Sequence, residues 1–166
     1  MPKTILFVCT GNSCRSVMAK GLMERWLKEH GGALATEFQV KSAGIAAMDG
    51  MSASRETQEL LRQVGVEMGG HMARRLTDVT IKEADLILVM EPFHLEEIVR
   101  RVPSAKPKAH LLKLFAAKDH ASVTSAHIPD PIGKPMEVYE VCFMTIQEAI
   151  ERVGGWLTEH ARSAES

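Results

Sequence analysis

The feature that most constrains the fold is an apolar run that leads through a short loop into an amphipathic segment. The run is Ile5 to Val8, the loop is Cys9-Thr10-Gly11-Asn12-Ser13-Cys14-Arg15-Ser16, and apolar residues then recur at helical spacing from Val17 to Leu27. This order predicts a buried strand, a tight loop and a helix. The backbone N–H groups of such a loop lie at a helix N-terminus, where they bind an anion without any special side chain.

The rest of the chain continues the alternation of strands and helices. Strands are predicted at about Thr4–Val8, Glu37–Ser42, Asp85–Met90 and Ala109–Leu114, and helices at about Ser16–Glu29, Ser54–Val64, Val79–Glu83, Pro92–Val102 and Met136–Ala161. Alternating elements of this kind favour an α/β fold with three layers, α/β/α, around a central four-stranded parallel sheet. We expect one domain over residues 1–166, with a frayed tail after about residue 160.

Parallel sheets bind their ligands beyond the carboxyl ends of the strands. Cys9, Ser42 and Met90 all follow or end a predicted strand, and the loop that contains Asp130 follows the fourth strand. The sequence therefore predicts that these distant residues share one site.

Composition excludes several classes of function. The 166 residues are 45% hydrophobic and 25% charged, which is ordinary for a globular domain, and a net charge of −1 does not favour a nucleic-acid or anionic-membrane partner. The N-terminus lacks the pattern of a signal peptide, and no stretch approaches the ~18 apolar residues of a membrane span. We expect a cytoplasmic protein. Its three cysteines lack zinc spacing, so we expect no metal and no cofactor.

The loop carries residues suited to phosphoryl transfer. Cys9 is a candidate nucleophile, because a helix N-terminus and the nearby Arg15 favour the reactive thiolate. The N–H groups from Thr10 to Arg15 can hold the equatorial phosphoryl oxygens, and Arg15 can add a bidentate fork. We expect Gly11 to relieve steric cost where the loop curls, and Asn12 to tolerate left-handed dihedral angles.

The leaving group also needs a proton. Asp130, held before Pro131 in a turn-rich segment, is the candidate general acid, and the same carboxylate can then activate water against the phosphocysteine. General acid–base catalysis typically contributes ~10²–10⁴-fold.

Taken together, three segments resemble the low-molecular-weight protein tyrosine phosphatase family: Val8 to Ser16, Ser42-Ala43-Gly44 and Asp130-Pro131. The resemblance implies a flavodoxin-like fold and hydrolysis of phosphorylated protein residues through a phosphocysteine. It implies Cys9 as nucleophile, Arg15 as phosphate clamp and Asp130 as acid and base. It also implies a phosphate site of residues 10–15, which would bind phosphate, sulfate or vanadate. The implied supporting residues are Asn12, Ser16, Ser42 and His71.

The substrate stays open at this point. The family's usual substrate is phosphotyrosine, whereas a bacterial branch that removes phosphate from arginine carries threonine in the loop where tyrosine-directed members carry an aliphatic residue. Ser13 matches neither, and the expected substrate walls, Met48 and Ile132, are not aromatic. The stretch Met90 to His94 resembles the arginine-directed branch more closely. Arsenate reduction, an oxidoreductase activity on the same fold, is the third hypothesis; it needs two further cysteines after strand three, where this sequence has none.

Five further residues carry expectations of their own. Cys14 is either a packed loop residue or, as the resemblance implies, a partner of oxidised Cys9 in a protective disulfide. Cys142 is expected in the core. His94, His120 and His127 are expected to be exposed to solvent.

Overall fold

A computed structural model describes residues 1–117 and 126–165, with side chains as far as Ala161. The strands are β1 (Lys3–Cys9), β2 (Phe38–Gly44), β3 (Leu86–Val89) and β4 (Ala109–Leu111). The helices are α1 (Arg15–His30), α2 (Leu34–Glu37), α3 (Arg55–Gln63), α4 (Asp78–Glu83), α5 (Pro92–Arg101) and α6 (Met136–Glu165), with a 3₁₀ helix at Pro103–Lys108 between α5 and β4.

All four strands are parallel and lie in the order β2-β1-β3-β4. The strand β1 is therefore central, and alternate side chains along it enter two different cores. Ile5 and Phe7 pack in one apolar cluster, and Leu6 and Val8 pack in the other. Because both faces of β1 are covered, the strand is continuously apolar, as the sequence predicts for a buried parallel strand.

Helices cover both faces of the sheet. The first cluster joins β1 to α1, α3 and α6, and the second joins it to α4, α5 and the 3₁₀ helix. The predicted three-layer α/β/α architecture with a four-stranded parallel sheet is thus confirmed. No helix in the two described ranges is long and apolar enough to cross a membrane.

Local sequence signals account for where several helices begin. Ser54 is the N-cap of α3, with its side chain accepting a hydrogen bond from Thr57 N, as predicted. Pro92 is the first residue of α5, a position where its missing N–H costs nothing. The sequence did not predict the four-residue α2 or the 3₁₀ helix, because elements this short do not show a hydrophobic period.

The carboxyl ends of the strands position the site. β1 ends at Cys9, the neighbouring β2 ends at Gly44, and β3 ends at Val89, immediately before Met90 and Glu91. The backbone N–H of Ile128 donates to Met90 O at 3.0 Å, which brings the segment containing Asp130 to the same edge.

Candidate active site

The loop from Thr10 to Cys14 turns its carbonyl groups outward. The carbonyls of Cys9 and Thr10 accept from Ile45 N and Ala46 N at 3.0 and 2.9 Å, and that of Ser13 accepts from Ser54 N at 3.0 Å. By contrast, within residues 1–117 and 126–165 the N–H groups of Thr10, Gly11, Ser13, Cys14 and Arg15 have no protein acceptor. The loop therefore presents a ring of free N–H donors at the start of α1, an arrangement that can bind an anion.

Cys9 lies at the base of this ring. Its side chain is 2% exposed, and its Sγ is 3.3 Å from Asn12 N and 2.9 Å from Ser16 Oγ. Ser16 Oγ already accepts a hydrogen bond from Asn12 Nδ2 at 2.8 Å, so its own hydrogen is available for the sulfur. Two donors thus converge on Sγ and hold it at the base of the ring.

Asn12 holds the loop in its curled shape. It is fully buried and adopts a left-handed φ of 52°. Besides Ser16, its Nδ2 donates to Ser42 Oγ at 2.9 Å, and its Oδ1 accepts from Arg74 N at 2.9 Å. Its carbonyl accepts from Nε2 of His71 at 2.9 Å, so that ring nitrogen must be protonated. Burial, the largest effect on the ring, lowers the pKa of His71. The structure thus brings Asn12, Ser16, Ser42 and His71 into one hydrogen-bond network.

A glycine is required beside the loop, but it is Gly44 rather than Gly11. A Cβ on Gly44 would lie 2.5 Å from Thr10 O and 2.8 Å from Asn12 N, both backbone atoms that cannot move aside. At Gly11 the nearest atom to such a Cβ is Ser13 Oγ at 3.6 Å, and the residue does not have a left-handed φ. The steric reason that we gave for Gly11 is therefore wrong, and the close approach of β2 to the loop depends on Gly44.

Arg15 is buried, with 1% of its side chain exposed, and one edge of its guanidinium is fully used by the protein. Its Nη1 donates to Glu91 Oε2 at 2.6 Å and to Ile128 O at 2.8 Å. Its Nη2 makes only long contacts, at 3.5 Å to Thr10 Oγ1 and at 3.6 Å to Asp130 Oδ2. Nη1 is thus committed to holding the side chain in place, and Nη2 remains available for an anion in the loop.

The charge of Arg15 also acts on Glu91. Burial by itself raises the pKa of Glu91, but the hydrogen bond and the positive charge of Arg15 outweigh it and lower the pKa below its usual value. Glu91 is thus ionised at neutral pH and balances the buried guanidinium.

Asp130 lies beside the loop with 38% of its side chain exposed. Its Oδ1 accepts from Ile132 N at 3.1 Å, which fixes the carboxylate in an Asx turn, and its Oδ2 faces Arg15 Nη2. A residue 115 positions away from Arg15 in the sequence thus lies next to its guanidinium. The arrangement places a thiol, a ring of free N–H donors, a guanidinium and a carboxylate in one place.

Comparisons with known proteins agree with this arrangement. Residues 4–163 match the family described as low molecular weight phosphotyrosine protein phosphatase. The chain belongs to this family. It is 39% identical to a protein-arginine-phosphatase of Geobacillus stearothermophilus over 92% of this chain and 95% of that one. It is 34% identical to a Klebsiella pneumoniae protein named as a putative low molecular weight protein-tyrosine-phosphatase, over 90% of this chain and 93% of that one.

Among solved structures, the chain is similar to the tyrosine phosphatase Wzb from Escherichia coli K30 in complex with sulphate, with a TM-score of 0.80 and 29% identity over 95% of this chain and 99% of that one. The chain is therefore a cysteine-dependent phosphatase that acts on phosphorylated protein. Its relatives thus include both a protein-arginine-phosphatase and protein-tyrosine-phosphatases.

Both expected substrate walls of this phosphatase are open to solvent. Met48 is 71% exposed and Ile132 is 57% exposed. Met48 follows the segment that holds the Thr10 carbonyl, and Ile132 is the residue whose N–H fixes Asp130. Both are therefore near the loop, but only as flexible or branched aliphatic side chains.

The prediction for His94 was wrong. The side chain is fully buried at the start of α5, where it forms a reciprocal capping box with Glu91 and contacts Thr10. Sequence reasoning also missed Glu91 as the partner of Arg15. The available signal was the position of Glu91, directly after a buried strand at the ligand-binding edge. His127 is half exposed, as predicted, and lies 3.5 Å from Glu91 Oε1. His120 lies outside the described residues.

The remaining cysteines of this phosphatase are buried as free thiols. Cys14 is 3% exposed, with its Sγ 3.4 Å from Ser54 Oγ and 3.8 Å from the Tyr139 hydroxyl. Cys142 is 6% exposed in the core, as expected, and burial raises its pKa to about 12. Burial and the neighbouring Cys14 likewise raise the pKa of Tyr139 to about 12. Neither Cys142 nor Tyr139 is suited to nucleophilic chemistry at neutral pH.

Proposed function

We propose that Cys9 is the nucleophile of this phosphatase, that Arg15 clamps the phosphoryl group and that Asp130 serves as acid and then base. The observation that carries the proposal is the position of Cys9 Sγ, within hydrogen-bond reach of Asn12 N and Ser16 Oγ beneath a ring of unpaired N–H groups. Cysteine is an effective nucleophile towards phosphorus, and the free edge of Arg15 faces the same space.

The reaction proceeds in two displacements. In the first, the Cys9 thiolate attacks phosphorus, the bond to the leaving oxygen or nitrogen breaks, and Asp130 gives its proton to the leaving group. In the second, the Asp130 carboxylate takes a proton from water, the resulting hydroxide forms a bond to phosphorus, and Cys9 leaves as a thiolate. The loop N–H groups and Arg15 hold the equatorial oxygens through both steps.

The substrate that we propose is phosphotyrosine in proteins, because this is the substrate in the description of the matching family. Phosphoarginine is a second candidate, and a particular observation favours it. The mouth of the loop offers the exposed carboxylate of Asp130 and the hydroxyl-bearing Ser13, while Met48 and Ile132 provide no aromatic surface for a tyrosine ring to stack against. A carboxylate also suits a guanidinium leaving group better than a neutral phenol.

One experiment tests the chemistry and the substrate together. We expect the wild-type protein, but not Cys9→Ala, to hydrolyse an aryl phosphate, and rapid quenching of Asp130→Ala with labelled substrate to trap label on Cys9. Steady-state kinetics with a phosphotyrosine peptide and a phosphoarginine peptide of the same sequence then compare kcat/KM. A preference of more than about tenfold for one peptide identifies the substrate. Full activity of Cys9→Ala would refute the proposed nucleophile.

Ser13 provides a matched pair of variants for the substrate question. If this position determines the preference, Ser13→Ile shifts the ratio of kcat/KM values towards phosphotyrosine and Ser13→Thr shifts it towards phosphoarginine. Unchanged ratios in both variants would remove Ser13 from the argument.

Arsenate reduction is not part of the proposal. The three cysteines of the sequence are Cys9, Cys14 and Cys142, and Cys142 is buried in α6 rather than following β3. Thioredoxin-dependent turnover of arsenate without phosphatase activity would contradict this assignment. We further propose a cytoplasmic location, supported by the ordinary globular composition and by three cysteines that are all free thiols.

A further inference from the structure

The protonation of His94 can be deduced from its neighbours. Its Nδ1 lies 3.0 Å from the backbone nitrogen of Glu91, whose N–H can only donate. Nδ1 is therefore the acceptor and carries no hydrogen, so the neutral ring carries its proton on Nε2. That nitrogen lies 2.9 Å from Thr10 Oγ1 and must donate to it.

This donation determines what the Thr10 hydroxyl can do. A hydroxyl oxygen has two lone pairs and one hydrogen. His94 Nε2–H occupies one lone pair, and Arg15 Nη2 approaches the same oxygen at 3.5 Å. The hydrogen of the hydroxyl cannot point at either donor. No acceptor for it lies within hydrogen-bond distance among the residues that the structure describes.

The position of Thr10 indicates where this hydrogen goes. Thr10 follows Cys9 directly, and its hydroxyl lies against Nη2 of Arg15, the nitrogen that also faces Asp130 at 3.6 Å. Nη2 belongs to the edge of the guanidinium that the protein leaves free for an anion. The hydroxyl hydrogen is therefore presented on the phosphoryl side of Arg15, opposite the edge that Glu91 and Ile128 occupy.

We propose that Thr10 donates its hydroxyl hydrogen to the phosphoryl group held in the loop, and that His94 is the positioning residue that orients the hydroxyl for this bond. The inference rests on the proposed function only in that the loop must bind a phosphoryl group. It adds one side-chain donor to the ring of backbone N–H groups. It also gives Glu91 two separate roles, since its carboxylate holds Arg15 while its N–H sets the tautomer of His94.

The alternative is that His94 serves only to cap α5. A cap would affect folding without changing how tightly the loop binds an anion. The two roles are therefore separated by measuring phosphate affinity and thermal unfolding on the same variants.

The test uses the full chain and four single variants. Thr10→Val removes the hydroxyl at nearly constant volume, and Thr10→Ser keeps it. His94→Leu removes the donor, and His94→Gln retains an amide donor. Calorimetry measures the affinity for inorganic phosphate, and steady-state kinetics with an aryl phosphate measures kcat and KM. Because a hydrogen bond to a charged group is lost, we expect Thr10→Val to bind phosphate about tenfold to a hundredfold more weakly, with an unfolding temperature near that of the wild type.

The pattern across the variants decides the outcome. We expect Thr10→Ser to bind phosphate several-fold more tightly than Thr10→Val, and His94→Gln to be less impaired than His94→Leu. The double variant Thr10→Val/His94→Leu should bind no more weakly than the worse of its two parents, since both changes remove one interaction. Wild-type phosphate affinity in Thr10→Val would overturn the proposed bond, and additive losses in the double variant would overturn the role of His94.

These outcomes are distinguishable from a failure of the proposed function. Phosphate binding by calorimetry does not require turnover, so it tests the Thr10 bond even if no phosphorylated peptide is hydrolysed. Conversely, activity that depends on Cys9 together with an unaffected Thr10→Val variant would leave the proposed function standing and remove this inference alone.

Discussion

The loop's shape depends on Asn12, and replacing this residue gives a graded test of that dependence. Asn12→Ala removes three side-chain hydrogen bonds, to Ser16, Ser42 and Arg74 N, and leaves an alanine at a φ of 52°. At about 1 kcal/mol for each buried hydrogen bond and about 1 kcal/mol for the left-handed backbone, we expect a loss of roughly 4 kcal/mol in the free energy of unfolding. Asn12→Gly loses the same bonds without the backbone strain, so it should cost about 1 kcal/mol less.

Ser42→Ala is the matched control, because it removes a single bond of the network at a half-buried position. We expect it to cost about 1 kcal/mol. Urea unfolding at neutral pH measures the free energies of unfolding of the three variants. The value of kcat/KM on an aryl phosphate reports how far the N–H ring is displaced. We expect kcat/KM to fall about tenfold for each 1.4 kcal/mol of transition-state stabilisation that is lost. Equal losses for Asn12→Ala and Asn12→Gly, or losses below that of Ser42→Ala, would show that Asn12 does not shape the loop.

Three further predictions follow from particular contacts. Asp130→Asn should lower kcat by ~10²–10⁴-fold on substrates with poor leaving groups and leave vanadate affinity nearly unchanged; an equal loss on an activated aryl phosphate would contradict its role as an acid. In α6, the new methyl group of Gly155→Ala meets no atom, so this variant should be more stable by about 1 kcal/mol. The methyl group of Gly154→Ala would overlap the indole of Trp26, so this variant should be less stable by about 1–3 kcal/mol. Thermal unfolding that ranked the two variants in the opposite order would refute this packing. Burial and the charge of Arg15 lower the pKa of His94 from 6.5 to about 4, so the unfolded chain binds more protons in that window and stability should fall, by up to about 3 kcal/mol, as the pH drops from 6.5 to 4. Denaturant titrations of wild type and His94→Gln should diverge over this range, and parallel pH profiles would contradict the assignment.

Much of the fold could be predicted because its signals are local and repeated. The continuous apolar run of β1 indicates a strand buried on both faces, and the strand–helix alternation indicates a parallel sheet. Ser54 and Pro92 mark the starts of two helices by their own chemistry. The bounds of the strands were less accurate, since β4 ends at Leu111 rather than near Leu114. Strand ends depend on pairing with a neighbour, which a single segment does not reveal.

Two adjacent glycines in α6 have different roles, and the sequence does not reveal the difference. By helix propensity alone, Gly154 and Gly155 would both weaken the final turns of α6. The helix continues through both, and only Gly154 faces Trp26 of α1. The difference arises from the packing of α6 on α1, which is a property of two elements over a hundred residues apart. Gly44 is a second example, because it must lack a side chain only since its backbone lies so close to the backbone of the loop.

The part of the candidate site that could be predicted consists of side chains whose chemistry suggests a catalytic role directly. A cysteine and an arginine around a loop, with an aspartate at a distant strand end, point to phosphoryl transfer by their reactivity alone. Glu91 and His94 have no such signature, because a glutamate and a histidine at a helix start are usually solvated. The reason for their placement becomes apparent only once Arg15 is seen to be 1% exposed. A guanidinium at that depth needs a carboxylate to offset its loss of hydration, and Glu91 supplies it from the turn between β3 and α5. Because that pairing offsets the charge of Arg15, we expect the oriented N–H groups to contribute much of the attraction for a phosphoryl group, which does not require a positive net charge on the chain.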